Sequence, residues 1–241
     1  MYDLHAHILP GIDDGPRTNI ESLELIFAAY RNGIKTLVAT PHMKDVNEKR
    51  SVKYAQELLN SLKNKVKNLN IDISLKMGME NHLISETPMM FEVGKSLTIN
   101  ETKFALIELP FFGYPNYVDD ALSELQNIGL VPVLAHPERI ELIQKNPMKL
   151  EYFVQKGMIS QVTAGSLIGQ FGSEVKFFAE MLVRNDLAHV IATDCHRPFG
   201  RRAPNLDVGY QAAARLIGKS KAKILVEGNP KSIINGNYGG H

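Results

Sequence analysis

Apolar residues recur along this chain in two alternating rhythms. Short aliphatic and β-branched runs, bounded by polar or glycine-containing segments, predict strands at Tyr2–His5, Lys35–Thr40, Ile71–Met79, Phe104–Leu109, Val131–Ala135, Ile159–Thr163 and His189–Thr193. Between them the spacing becomes helical. Val52, Ala55, Leu58, Leu59, Leu62, Val66 and Leu69 form one apolar face with lysines opposite, and Val118, Ala121, Leu122, Leu125 and Ile128 repeat the pattern before Gly129. Thr18 and Glu21 read as a capping box ahead of Leu23, Ile26, Phe27 and Tyr30, with Gly33 as the stop. Asn146-Pro147 reads as a cap followed by proline at the first position of a helix that Gly157 ends. Phe177, Phe178, Met181 and Leu182 mark a further helix. Strand-then-helix units around a parallel sheet predict an α/β fold, most simply a seven-stranded (β/α)7 barrel, with an open doubly wound sheet as the alternative. Residues 1–234 are expected to form one domain, and the Gly- and Asn-rich segment 235–241 a loose tail.

Composition narrows the class. A length of 241 residues suits one α/β barrel, and 44% hydrophobic with 22% charged residues can bury an ordinary core. Twenty-seven basic against 26 acidic residues argue against a protein that coats nucleic acid or an anionic membrane by bulk charge. No apolar run approaches the roughly 18 residues that span a bilayer. The polar start, Met-Tyr-Asp-Leu-His, does not resemble a signal peptide, and Cys195 has no partner for an intramolecular disulfide. A cytoplasmic protein is expected.

The chemistry gathers at strand ends. His5 and His7 close the first predicted strand, two apart and so on one face; His42 follows the second, Glu80 the third, Glu108 the fourth and His136 the fifth, while Asp194 and His196 follow the seventh. In a parallel barrel the carboxyl ends of all strands converge on one rim, so residues scattered along the chain would share a pocket. Five of the eight histidines fall at these ends. Burying so many carboxylates and imidazoles together without a cation costs several kcal/mol each, by order of magnitude. A metal centre is the better reading, too large for one ion. Its ligand types suit Mn²⁺, Fe²⁺ or Zn²⁺. Asp14, in the turn Asp13-Asp14-Gly15, is a further candidate ligand. Arg139, Arg201 and Arg202 stand on the same rim loops, where guanidinium groups would bind a phosphoester. His82 and His189 read as structural.

Together these motifs, Asp3-Leu-His5-Ala-His7, Asp13-Asp14-Gly15, Thr40-Pro-His42, Gly78-Met-Glu80, Leu106-Ile-Glu108, Leu134-Ala-His136-Pro-Glu-Arg139 and Thr193-Asp194-Cys-His196, resemble those of the PHP superfamily. More narrowly they resemble its bacterial manganese-dependent protein-tyrosine phosphatases, which act on tyrosine kinases of capsule and exopolysaccharide synthesis. The resemblance implies a distorted seven-stranded TIM-like barrel (the PHP fold) with three divalent ions, Mn²⁺ first and Fe²⁺, Zn²⁺ or Mg²⁺ as alternatives. It places one ion with His5, His7, Glu80 and Asp194; a second with Glu80, Glu108 and His136; and a third with Asp14, His42 and His196. It assigns Arg139 to phosphate binding and Arg201 or Arg202 as the second such arginine, with a lean to Arg201. It further implies in-line attack on phosphorus by a metal-bridging hydroxide, with His42 as a candidate proton donor and a phosphorylated kinase tail as partner. Nucleic acid and membrane insertion are not expected.

Two rival readings remain. Cys195 and Arg201 fit the spacing of thiol-dependent tyrosine phosphatases, but Pro198 removes an amide from the phosphate cradle such enzymes need. The same metal residues could also serve a histidinol-phosphate phosphatase or another small-phosphoester hydrolase. A module that binds a phosphorylated tail without cleaving it is the non-enzymatic alternative.

Overall fold

The computed structural model describes residues 1–239, the side chain of Lys49 excepted. Each predicted strand is present: β1 (Tyr2–Ala6), β2 (Thr36–Ala39), β3 (Ser74–Met77), β5 (Phe104–Glu108), β6 (Val131–Ala135), β7 (Ile159–Thr163) and β8 (Val190–Ala192). An eighth, β4 (Asn81–His82), was not anticipated. All pairings are parallel, in two sheets ordered β1-β2-β3 and β4-β5-β6-β7-β8. This is a mixed α/β fold with strands in sequence order, so the reversal that defines a doubly wound sheet is absent among the described residues.

The run expected as one strand, Ile71–Met79, is shorter and broken for a reason that concerns the site. Gly78 lies so close to β2 that a Cβ there would stand 3.0 Å from Val38 Cγ1. Beyond it the chain leaves the ladder, swings Glu80 inward, and resumes as β4. At this seam Pro41 O accepts from Glu80 N at 3.1 Å and Glu80 O from Met43 N at 2.9 Å. At the other seam β8 runs beside β1: Asp194 N donates to His5 O and His7 N to Cys195 O, both at 2.9 Å.

Two apolar clusters explain the layers. The larger lies between the sheets and the helices and takes Leu37, Ile107, Leu134, Val162 and Ile191 from the strands. The smaller takes the alternate residues Leu4, Val38, Phe104, Leu106, Val133, Ile159 and Val190, with Ile233 and Ile234 of the helix Asn229–Ile234. Following those inner positions toward the carboxyl ends, Val38 leads through Thr40 to His42, Leu106 to Glu108, Ile159 to Gln161, and Val190 through Ala192 to Asp194. The period-two alternation that makes a strand thus also carries the polar residues to one end.

Helix predictions held in part. Thr18 Oγ1 accepts from Glu21 N at 3.2 Å, as a cap should, but Glu21 turns back to Arg17 N rather than Thr18 N. Asn146 precedes the helix Pro147–Gln155 without a side-chain cap bond. Phe177 is exposed, whereas Leu182 is buried together with Ala179 and Val183. The helix Leu206–Ile217 and those after it were not anticipated. In the segment from Asn235, the Tyr238 ring stands edge-on to Phe104 at 6.3 Å, while residues 240 and 241 lie outside the described residues. No helix among the described residues is long and apolar enough to cross a membrane.

Candidate metal centre

Every predicted donor arrives at one end of the sheets. Glu80 sits at the middle: its Oε2 faces His42 Nδ1 at 2.9 Å, His7 Nε2 at 3.2 Å and His5 Nε2 at 3.3 Å, and its Oε1 faces His136 Nε2 at 2.9 Å. Glu108 Oε1 lies 3.4 Å from the same His136 nitrogen. Asp194 Oδ1 is 3.4 Å from His5 Nε2, 3.5 Å from His7 Nε2 and 3.6 Å from His196 Nδ1. Asp14 Oδ1 is 2.9 Å from His196 Nε2 and 3.4 Å from His42 Nε2. Donor atoms of His7, Asp14, His42 and His196 all lie within 4.8 Å of one another, as do those of His5, His7 and Glu80, and of His42, Glu80 and Glu108.

The donor set fits metal ions on structural grounds. His5 Nδ1 meets the side-chain Oε1 of Gln161 at 2.8 Å, and His7 Nδ1 meets Asp13 Oδ2 at 2.8 Å. Both oxygens accept, so both Nδ1 atoms carry a ring hydrogen, and the two Nε2 atoms are turned toward each other at 3.2 Å beside the Glu80 carboxylate. Several ring nitrogens gathered on one buried carboxylate, with outer partners that fix the imidazole tautomers, are a feature of metal sites.

Protons and charges respond accordingly. Burial raises the Glu80 and Asp194 carboxyls, but neighbouring imidazoles, with Arg202 at Asp194, outweigh it and hold both well below the usual range. Burial lowers His7, His136 and His42, yet the carboxylates around them lift His7 and His136 to about 9 and His42 to about 11. His196 goes the other way, to about 4, through burial and the neighbouring His7 charge.

Two of the backbone positions concerned are strained. His136 and Asp194 both have positive φ, 34° and 52°, where non-glycine residues are rare outside functional sites. At β1, register against β2 shifts between Asp3 and Ala6, and this irregularity lets consecutive residues serve different tasks: Leu4 joins the inner apolar cluster while His5 reaches the centre.

The matching family model is that of capsular polysaccharide synthesis, CpsB/CapC, and it covers residues 1–235. The chain belongs to the CpsB/CapC family. It is 38% identical over 196 residues to the tyrosine-protein phosphatase YwqE of Bacillus subtilis, spanning 81% of this chain and 77% of that one. With CpsB of Streptococcus pneumoniae, a tyrosine-protein phosphatase, it shares 30% identity across 97% and 98% of the two chains. Its fold superposes with a TM-score of 0.93 on a crystal structure from work on YwqE and CpsB as metal-dependent tyrosine phosphatases, at 33% identity and with 99% and 96% of the chains covered.

In this CpsB/CapC chain the arginines divide. Arg139 Nη1 donates to Asp194 Oδ2 at 2.8 Å, and Arg202 Nη2 donates to Asp194 Oδ1 at 2.8 Å with its Nη1 3.3 Å from Asp14 Oδ2. Arg201 is exposed and lies over the Phe171 ring, 5.2 Å from its centroid. The adjacent arginines thus part: Arg202 reaches the carboxylates, while Arg201 stays at the rim. Beyond Glu108, Phe111 stacks on His136 at 5.5 Å, whereas Phe112 is 82% exposed and the Tyr114 hydroxyl donates to Asp119.

Several supporting residues were not assigned from sequence. Asp13 and Gln161 orient histidines. Buried Asp3 accepts from Thr193 N and Oγ1 at 3.0 and 2.5 Å, tying β1 to the end of β8. Buried Glu138 accepts from Thr163 N at 2.9 Å and Ser166 Oγ at 2.6 Å, pinning the turn that aims Arg139. Arg197 Nη1 donates to the carbonyls of Asp14 and Gly15, joining the first and last rim loops. Position on an inner strand face could have flagged Gln161, and Asp3, Asp13 and Glu138 stand inside motifs of the resemblance; nothing local marks Arg197. Cys195 is fully buried, and burial together with the Asp3 charge pushes its thiol far above the ordinary value.

Proposed function

We propose that this chain is a metal-dependent protein-tyrosine phosphatase of capsule or exopolysaccharide synthesis. One observation carries the chemistry: a single buried carboxylate, Glu80, faces four imidazoles while two guanidinium groups bracket the neighbouring Asp194. Three divalent ions, Mn²⁺ first, would be held by His5, His7, Glu80 and Asp194; by Glu80, Glu108 and His136; and by Asp14, His42 and His196. When bound, they would supply positive charge for the phosphoryl oxygens and an acidified water as nucleophile. The remaining work falls to the chain. Arg139 and Arg202 leave Asp194 to pair with the equatorial oxygens, where charge accumulates. His42 is better used as a ligand than as a proton donor, since both its ring nitrogens face carboxylates. A tyrosyl phenol, with pKa about 10, leaves without much help from a general acid. The two sheets and their two seams would together form the distorted seven-stranded barrel, β3 and β4 counting as one interrupted strand, within a single domain over residues 1–234. The substrate would be a phosphorylated tyrosine-kinase tail in the cytoplasm.

The test is phosphate release by metal-stripped protein, with and without Mn²⁺, from a phosphotyrosyl peptide and from histidinol phosphate. Mn²⁺-dependent release favouring the peptide is expected. A preference for histidinol phosphate would move the activity to small phosphoesters, and release indifferent to metal would overturn the mechanism.

A further inference from the structure

The ends of β1, β2, β3, β5, β6 and β8 each bring a candidate ligand to the centre, whereas the segment after β7 brings an aromatic ring. Arg139 and Arg201 come from different loops, after β6 and after β8, yet both guanidinium groups lie over Phe171, 4.6 and 5.2 Å from its centroid. Like charges brought together at a pocket mouth repel, and a shared aromatic ring attracts both. The ring's own place is built with care. Gly165 leaves room for it: a Cβ there would stand 3.1 Å from Phe171 Cε2 and 2.7 Å from Gln170 Oε1. Gln170 N donates to Gly165 O at 2.9 Å, and Gln170 Oε1 accepts from Asn205 Nδ2 at 3.2 Å, tying the loop to the start of the helix Leu206–Ile217. Phe171, half-buried, belongs to neither apolar cluster, so core packing does not account for it.

We propose that Phe171 is a positioning residue for the substrate phosphate, a platform that holds Arg139 and Arg201 together at the mouth of the centre so that both can grip one phosphoryl group. The proposal rests on the phosphatase reading. It assigns Arg201, which the inner geometry leaves out, to an outer position on the same anion.

The experiment compares wild type with Phe171→Leu, Phe171→Tyr and Gly165→Ala, all loaded with Mn²⁺. Calorimetric titration with inorganic phosphate, steady-state hydrolysis of a phosphotyrosyl peptide and metal content are measured on each. Phe171→Leu, which keeps apolar volume but loses the aromatic face, is expected to weaken phosphate binding and raise KM about tenfold. Its kcat should stay within about twofold and its metal content unchanged. Phe171→Tyr should behave as wild type, and Gly165→Ala, which displaces the ring, as Phe171→Leu. Wild-type phosphate affinity in Phe171→Leu, or equal losses in Phe171→Leu and Phe171→Tyr, would overturn the proposal. If the wild type fails to cleave the peptide, the phosphatase reading falls, while the phosphate titration still decides the role of Phe171. Should Phe171→Leu not fold, the Gly165→Ala titration decides it.

Discussion

The Glu80 carboxylate has an imidazole within 3.3 Å in four directions, from His5, His7, His42 and His136. A side chain so placed can serve two ions at once, and no neighbour could substitute for it. Glu80→Ala should therefore remove more than one equivalent of metal along with activity, measured by elemental analysis of purified protein. Unchanged stoichiometry would show that Glu80 bridges nothing. Cys195 makes the opposite prediction. It sits between Asp194 and His196, but its thiol is buried and held far above its usual range by burial and Asp3. A thiolate nucleophile must be both ionised and reachable. Cys195→Ser should keep metal content and most of the turnover; complete loss of turnover with the metals still bound would revive the thiol mechanism.

At the scale of elements, the residues that aim the site are those that interrupt regular structure. The break after Gly78 delivers Glu80, the register shift in β1 delivers His5, and the left-handed residues His136 and Asp194 end β6 and extend β8. Glu138 then holds the turn before Arg139 against the end of β7. Helix packing sets the support behind these loops. Gly209, inside the helix Leu206–Ile217, passes so near the helix Ala164–Leu167 that a Cβ would stand 2.5 Å from Ala164 Cβ. Alanine would ordinarily favour a helix interior by about 1 kcal/mol over glycine. Here the clash should win, and Gly209→Ala should destabilise by about 1–3 kcal/mol in denaturant melts. A stabilised variant would mean that the two helices have slack to separate.

For the molecule as a whole, charge balance at the centre couples folding to protons and ions. In metal-free protein the raised His7 and His136, at about 9, and His42, at about 11, stand above the ordinary 6.5. Their contribution to stability is complete below that ordinary value and fades as pH rises through their folded values. The depressed Glu80 and Asp194 act in reverse, their contribution present above the usual carboxylate range and lost on acidification. Chelator-treated protein should thus lose Tm progressively from about pH 7 to 10, while Mn²⁺-loaded protein, whose ions replace those protons, should melt higher and hold its Tm across the span. A flat Tm in the stripped protein would contradict this balance.

Much of this was legible along the chain. Short aliphatic and β-branched runs located the strands of the sheets, because parallel strands buried on both faces are apolar nearly throughout, and the polar residue at most strand ends was readable as soon as the strands were taken to be parallel. The seven runs and the donors His5, His7, His42, Glu80, Glu108, His136, Asp194 and His196 follow from that, and Asp14 came from the turn beside them. Local pattern could not separate Arg201 from Arg202, because neighbours in a loop differ only in the direction the folded backbone turns them. It also missed Gln161 as the partner of His5, Asp13 as that of His7, and Phe171 beneath two arginines, for those contacts join residues from separate loops and strands. Sequence determined which chemistry reaches the rim; tertiary structure decided which atoms face each other there, since orientation is set by packing between elements that share no local pattern.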